Sequence, residues 1–203
     1  MKHAVILAHP AHASLNAAIA RTYVETAQAL GHEVLVRDLY RMRFDPRLHA
    51  PEIPGPRPPR FRPDVLRERA LLTDVEVFAF VYPLWFNAPP AILKGYIDRV
   101  LSMGFGYQFV GGGTEPALVG RKLISITTSG APDHWVSYTG ALMTLATQMD
   151  MHLSGVTGLT MADHMHFGAV LSDLTPEDAE EIFVEVREAA RRLTADESTT
   201  PPA

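Results

Sequence analysis

Three short stretches combine residue types whose spacing suits chemistry on a bound ligand. In HPAHASLN, His9, Ser14, Leu15 and Asn16 lie between an apolar run and the start of a helical pattern. Ser14 is a natural N-cap, and the unpaired amides and positive dipole end of a helix N-terminus attract a phosphate, to which His9 can add a donor. The second stretch is YPLWFNAPPAILKGYIDRVLSMGFGYQF, Tyr82 to Phe109. There Pro83, Leu84, Trp85, Phe86 and Asn87 form an aromatic loop between a strand and a helix that starts near Pro90. The third stretch, Thr127-Thr128-Ser129-Gly130-Ala131-Pro132, is built of small residues. Its backbone amides can approach the edge of a flat ring and stabilise negative charge developing there. Each stretch also has a plain structural reading. Ser14 can be a cap and nothing more, Trp85 and Phe86 can fill a core or a subunit interface, and Thr127 to Pro132 can be an ordinary strand-end turn.

What is missing narrows the chemistry further. The first loop has neither the glycine fingerprint of a dinucleotide turn nor the glycine-lysine pair of a nucleoside triphosphatase. The chain has no cysteine, which excludes disulfides and thiolate chemistry. His164 and His166, with Asp163 beside them, have the look of a metal pair, but no carboxylate pattern accompanies them and no metal site is assigned.

The elements that must position these loops follow from periodicity. KHAVILA reads as a first strand, Leu15 to Leu30 as a helix ended by Gly31, and Glu33 to Asp38 as a second strand. Asp45 to Pro63, dense in Pro and Arg, is a long loop leading to a short helix, Asp64 to Leu72. VEVFAFV, Val75 to Val81, is apolar throughout, as a central parallel strand covered on both faces must be. After the helix from Pro90 to Leu101, Gly104 to Gly113 reads as an irregular excursion and KLISITT as a fourth strand ending at Thr128. A weak helical pattern covers Trp135 to Met149, and Leu153 to Met161 is predicted as a fifth strand. TPEDAEEIFVEVREAARRL has an N-cap at Thr175, Pro176 at the first position, acids in the first turn and arginines in the last, the clearest helix of the chain. Five strands alternating with helices predict an α/β fold, a doubly wound parallel sheet with helices on both faces. The carboxyl ends of its strands share one edge, which brings the three loops together.

The chain has 203 residues, of which 47% are hydrophobic, enough for one core. A single domain over 1–193 is expected, with a flexible tail over 194–203. A formal charge of -5 provides no basic surface for nucleic acid. The apolar AVILA is too short for a signal-peptide core or a membrane span, so a cytoplasmic protein without membrane insertion is expected.

In order along the chain, HPAHASLN at 9–16, RDLYRMRFDP at 37–46, YPLWFNAPPAILKGYIDRVL at 82–101, GFGYQF at 104–109 and SITTSGAP at 125–132 resemble the flavodoxin-like NAD(P)H:quinone oxidoreductase family. That family takes in the DT-diaphorase type and small bacterial flavoproteins associated with potassium efflux systems. The resemblance implies a flavodoxin-like sheet of order 2-1-3-4-5. It also implies a flavin, FMN in preference to FAD because little sequence is left for an adenine site, and NADH or NADPH as reductant. His9, Ser14, Leu15 and Asn16 would hold the phosphate and ribityl region, Pro83 to Asn87 would run along the ring, and Thr127, Thr128, Ser129 and Gly130 would contact its polar edge. Trp85 and Phe86 would stack on nicotinamide or quinone, and in a homodimer Tyr107, with Phe109 near it, would close the partner's site. Quinones, and nitro or azo compounds by similar steps, would be reduced in alternating half-reactions. Mammalian-type members place a tyrosine and a histidine after the third loop as a charge relay. The corresponding places here are Trp135 and Ala141, leaving His134, Tyr138, His164 and His166 as substitutes among which spacing does not choose. Two other readings stand beside this one: a regulatory flavoprotein subunit of a potassium efflux transporter, and a flavodoxin-type electron carrier, against which the modest charge argues.

Overall fold

The computed structural model describes residues 1–195. Its centre is a five-stranded sheet built from β1 (Lys2–Leu7), β2 (Glu33–Asp38), β3 (Val77–Pro83), β6 (Lys122–Thr128) and β7 (Thr160–Phe167), in the order β2-β1-β3-β6-β7. Every pairing within this sheet is parallel. In topology this is the order the sequence implies, with a separate hairpin, β4 (Tyr107–Val110) and β5 (Gly113–Pro116), inserted between the third and fourth strands of the sheet. β3 is buried along its whole length, which accounts for its unbroken apolar composition.

The two faces of the sheet carry separate cores. On one, α1 (Leu15–Ala29) and α7 (Pro176–Ala195) cover Val5, Leu7, Ile124, Ile126, Met165 and Phe167. The alternate residues Ala4, Ile6, Phe78, Phe80 and Leu123 face a second cluster, with contributions from α2 (Pro63–Leu72) and α3 (Ala91–Val100) and from residues 133–157. That last region comprises α4 (Asp133–Tyr138), α5 (Ala141–Leu145), a π-helical stretch Ala146–His152 and α6 (Leu153–Thr157). α7 runs to Ala195 and so takes in the first two residues assigned to a tail. The rest of that tail lies outside the described residues.

Three sequence predictions need correction. Leu153 to Met161 is not the fifth strand: residues 153–157 are helical and end at Gly158, whose φ of 82° is the left-handed cap glycine allows. The strand follows as Thr160–Phe167, and its inward-facing histidines disguised it. Gly104 to Gly113 is not irregular throughout, because Tyr107 to Pro116 form an antiparallel hairpin turned at Gly111 and Gly112. Most of the hairpin's residues are exposed, so it shows no alternation of apolar and polar residues. The helical pattern from Trp135 to Met149 breaks at Gly140.

The long Pro- and Arg-rich loop is held by charge. Arg99, fully buried on α3, donates to both oxygens of Glu52 at 2.9 Å, to Asp64 at 2.7 and 3.1 Å, and to the Asp45 carbonyl at 2.5 Å. Burial alone would raise the Glu52 carboxyl, but Arg99 and the amides of His49 and Arg62 outweigh it and hold it below the ordinary range. The loop lies so close to α3 that a Cβ on Gly95 would sit 2.2 Å from the Pro46 carbonyl oxygen.

Candidate functional site

The first loop enters α1 through Ser14, whose hydroxyl accepts from the Ala17 amide at 3.2 Å. The Leu15 and Asn16 amides lie in the first turn, where an α-helix provides no carbonyl partner. No acid occupies that turn, unlike the first turn of α7 with Glu177 and Asp178, so the dipole end of α1 is free to meet an anion. His9 Nδ1 lies 3.1 Å from the Ala11 amide and 3.3 Å from the Ala11 carbonyl oxygen, and when it accepts from the nearer amide the proton of a neutral ring is on Nε2.

Asn16 is buried and its Nδ2 donates to Thr128 Oγ1 at 2.8 Å, joining the first loop to the third across the sheet edge. Leu84 N donates to the Thr128 carbonyl at 2.7 Å and binds the second loop to the same residue. The three loops therefore meet. A cleft of about 260 Å³ is lined by His9, Ser14, Leu15, Asn16, Pro83, Leu84, Trp85, Thr128, Ser129 and Gly130, all named from sequence. Val170, from the segment after β7, completes the lining. Misplacing the fifth strand hid it from sequence reasoning.

The aromatic loop is a tight turn. Trp85 and Ala88 exchange backbone hydrogen bonds at 3.0 and 3.1 Å, and Phe86 and Asn87 between them have φ of 51° and 56°. Two successive left-handed residues define a type I′ turn, a conformation that asparagine tolerates and phenylalanine does not favour. The turn leaves Phe86 fully exposed and Trp85 43% exposed, with the Trp85 ring 6.1 Å from that of His9.

The remaining candidates lie elsewhere. The fully buried Thr127 points its hydroxyl into the protein, toward Met165 and His166. Phe86 and Asn87 stand outside the lining of the cleft. Tyr107 lines a larger cavity of about 690 Å³, with Ala88 and Pro89 on one side and Gln148 and Leu153 on another. The loop after β3 is thus shared between the two cavities, while Tyr107 and Phe109 pair edge to face on the hairpin. His134 is exposed and Tyr138 strongly so, whereas His164 and His166 face inward beside β6.

A flavin suits the polar groups of the cleft on two counts. Among the described residues Asn16 Oδ1 is buried with no hydrogen-bond partner, an arrangement that is costly unless a donor arrives. Thr128 Oγ1, having accepted from Asn16, keeps a proton to give. The acid-free N-terminus of α1 offers a place for a phosphate, and the indole of Trp85 also lines the cleft.

An open parallel sheet with a polar and aromatic cleft at its switch point defines the class of doubly wound α/β proteins, whose ligand sites lie at the carboxyl ends of the strands. Within that class, residues 1–193 match the family described as flavodoxin-like fold, and the chain belongs to it. An "Uncharacterized NAD(P)H oxidoreductase" of Haemophilus influenzae is 36% identical over 132 residues, 64% of this chain and 65% of its own length. "NAD(P)H dehydrogenase [quinone] 1" of Cavia porcellus is 32% identical over 145 residues, 63% of this chain and 53% of its own. The chain thus spans between about half and two thirds of the length of these curated relatives. Among solved structures, the NAD(P)H:quinone oxidoreductase of Methanothermobacter marburgensis superposes with a TM-score of 0.81 at 26% identity, covering 96% of this chain and 97% of that one.

Proposed function

We propose that the chain is a flavin-dependent NAD(P)H oxidoreductase that reduces quinones by two electrons. The observation that carries this reading is the convergence on Thr128 of the helix-entry loop, through Asn16, and of the aromatic loop, through Leu84. The names of the quinone reductases matched above support it. A bound flavin would supply hydride acceptance from NAD(P)H and hydride return to the quinone. FMN is preferred over FAD. His9, Ser14, Leu15 and Asn16 hold the phosphate and ribityl chain, and Leu84 and Trp85 lie along the ring. Thr128 and Gly130 approach its polar edge, and Trp85 with the exposed Phe86 offers a stacking surface to nicotinamide and quinone in turn. One surface serving both substrates makes the two half-reactions alternate. Nitro and azo compounds fit the same open surface.

The working unit is a homodimer in which the hairpin carrying Tyr107 and Phe109 closes the partner's cleft. Phe109 and Val110 are more than half exposed on an arm that packs little against its own sheet.

The test is to purify the protein, release and identify its chromophore, and add NADH or NADPH without oxygen. Bound FMN bleached by a nicotinamide nucleotide and recoloured by a quinone is the expected outcome. A colourless chain that takes up neither FMN nor FAD refutes the proposal.

A further inference from the structure

On the face of the sheet away from α1, five polar side chains run in line from the interior to the cleft. Asp150, buried in the π-helical stretch, accepts from Ser125 Oγ at 3.2 Å through one oxygen and pairs with His164 Nδ1 through the other. His164 Nε2 lies 3.4 Å from Thr127 Oγ1, and Thr127 Oγ1 lies 2.8 Å from His166 Nδ1. His166 Nε2 lies 3.1 Å from Ser129 Oγ, and Ser129 lines the cleft. The line depends on the alternation of two adjacent strands. Ser125 and Thr127 alternate with Ile124 and Ile126, and His164 and His166 with Met165 and Phe167, whose apolar side chains fill the opposite core.

Counting protons fixes its direction. The single hydroxyl proton of Ser129 goes to the Ala131 carbonyl at 2.8 Å, so Ser129 Oγ accepts from His166, whose proton is on Nε2. The bare Nδ1 of His166, at 2.8 Å a nearer acceptor than the Met165 carbonyl at 3.1 Å, then takes the Thr127 proton, and Thr127 Oγ1 is left to accept from His164 Nε2. His164 can hold a proton on each nitrogen, one toward Thr127 and one toward Asp150.

We propose that Asp150, His164, Thr127, His166 and Ser129 form a proton relay that delivers one proton to the cleft per turnover. The proposal rests on reading the cleft as a site of hydride transfer to a quinone. A hydride brings two electrons and one proton, whereas a quinol requires two of each, so one further proton must enter. Ser129 gives its hydroxyl proton to a substrate oxygen in the cleft and takes the Nε2 proton of His166. His166 takes the Thr127 proton on Nδ1, and Thr127 takes the Nε2 proton of His164. His164 ends neutral beside Asp150 and regains a proton from solvent, to which its side chain is 18% exposed. A turn of the His166 ring, which carries its N–H from the Thr127 side back to Ser129, resets the line for the next turnover. The other titratable groups facing the relay are Asp133 of α4, 3.8 Å from His166 Nε2, and Tyr82 of β3, near Asp150. Burial, against the pull of Asp133, holds the His166 imidazole below its ordinary range, which suits a neutral link.

Two measurements on the full chain test the relay. In the flavin-free protein, nitrogen-15 spectra of the imidazoles should show His166 with its proton on Nε2, and Asp150→Asn should shift the His166 resonances. A His166 protonated on Nδ1, or blind to Asp150→Asn, overturns the relay. In the protein loaded with FMN, the midpoint potential against pH should show a change of slope of one proton per two electrons that depends on His164. His164→Gln should abolish that break and Asp150→Asn should move it. An unchanged break in both variants overturns the relay as well. A chain that folds but takes up no FMN refutes the cleft reading, and the spectra of the flavin-free protein then decide the hydrogen-bonded line alone.

Discussion

At residue scale, Phe86 is the position where conformation and chemistry conflict most openly. A left-handed phenylalanine costs about 1–2 kcal/mol, and full exposure returns none of that through burial. Phe86→Gly should therefore raise the unfolding free energy read from urea titration, by up to about 1 kcal/mol once the entropy of glycine is counted, while raising the KM for quinone. A variant that loses stability would show that the ring packs where it is described as free. Asn16 points the same way from inside the fold, since a buried carbonyl oxygen without a partner is tolerated where a ligand provides one. Asn16→Leu should weaken FMN retention at least tenfold, read by ultrafiltration against free flavin. Ten of the cleft-lining residues were legible in the sequence because loop chemistry is local: a cap, an aromatic turn, a run of small residues. Thr127 was not, since only the strand register decides that its side chain turns inward while Thr128 lines the cleft.

At the scale of elements, the clamp between α3 and the Pro-rich loop carries the clearest energetic consequence. Removing the cation of a buried ion pair leaves a carboxylate uncompensated, so Arg99→Met should destabilise the fold by about 3–5 kcal/mol in urea titrations. Adding Glu52→Leu to that variant should recover much of the loss, because the fully buried carboxylate is then gone and Asp64, a third exposed, keeps its hydration; a double variant as unstable as the single one would contradict this. None of this was visible in the sequence, where the segment from Asp45 to Pro63 offers composition but no partner. β7 was missed for a related reason. Its inward positions are histidines bonded to Asp150, Thr127 and Ser129, and a polar inner face defeats the search for alternating apolar residues. The helices bounded by Ser14 and Thr175 were found because their caps are written locally.

For the whole molecule, parallel order and two-sided cover followed from the count of strands and crossovers, and with them the meeting of the loops at one edge. The acid limit of the fold follows from His3, fully buried at the start of β1 and hydrogen-bonded to Tyr23 at 2.9 Å. Burial, aided by His32, lowers its pKa to about 4. Between that value and the ordinary 6.5, the unfolded chain binds a proton that the folded chain refuses, so stability falls as pH drops through this window, by up to about 3 kcal/mol. Between pH 7 and pH 4 the wild type should lose stability relative to His3→Phe by up to about 3 kcal/mol in urea titrations; parallel curves would remove His3 as the cause. At the level of assembly, the proposed dimer predicts that Val110→Asp runs as a monomer in light scattering where the wild type does not, with lower turnover.

Thr128 is stitched to Asn16, and Ser129 to the Phe167 carbonyl, so the walls of the cleft come from both ends of the chain. A polypeptide still emerging from the ribosome has no such cleft until the segment around Phe167 is out. On the proposed reading, flavin loading is then a late event in the life of the molecule, and fragments truncated before β7 should be unable to sequester flavin from the cell.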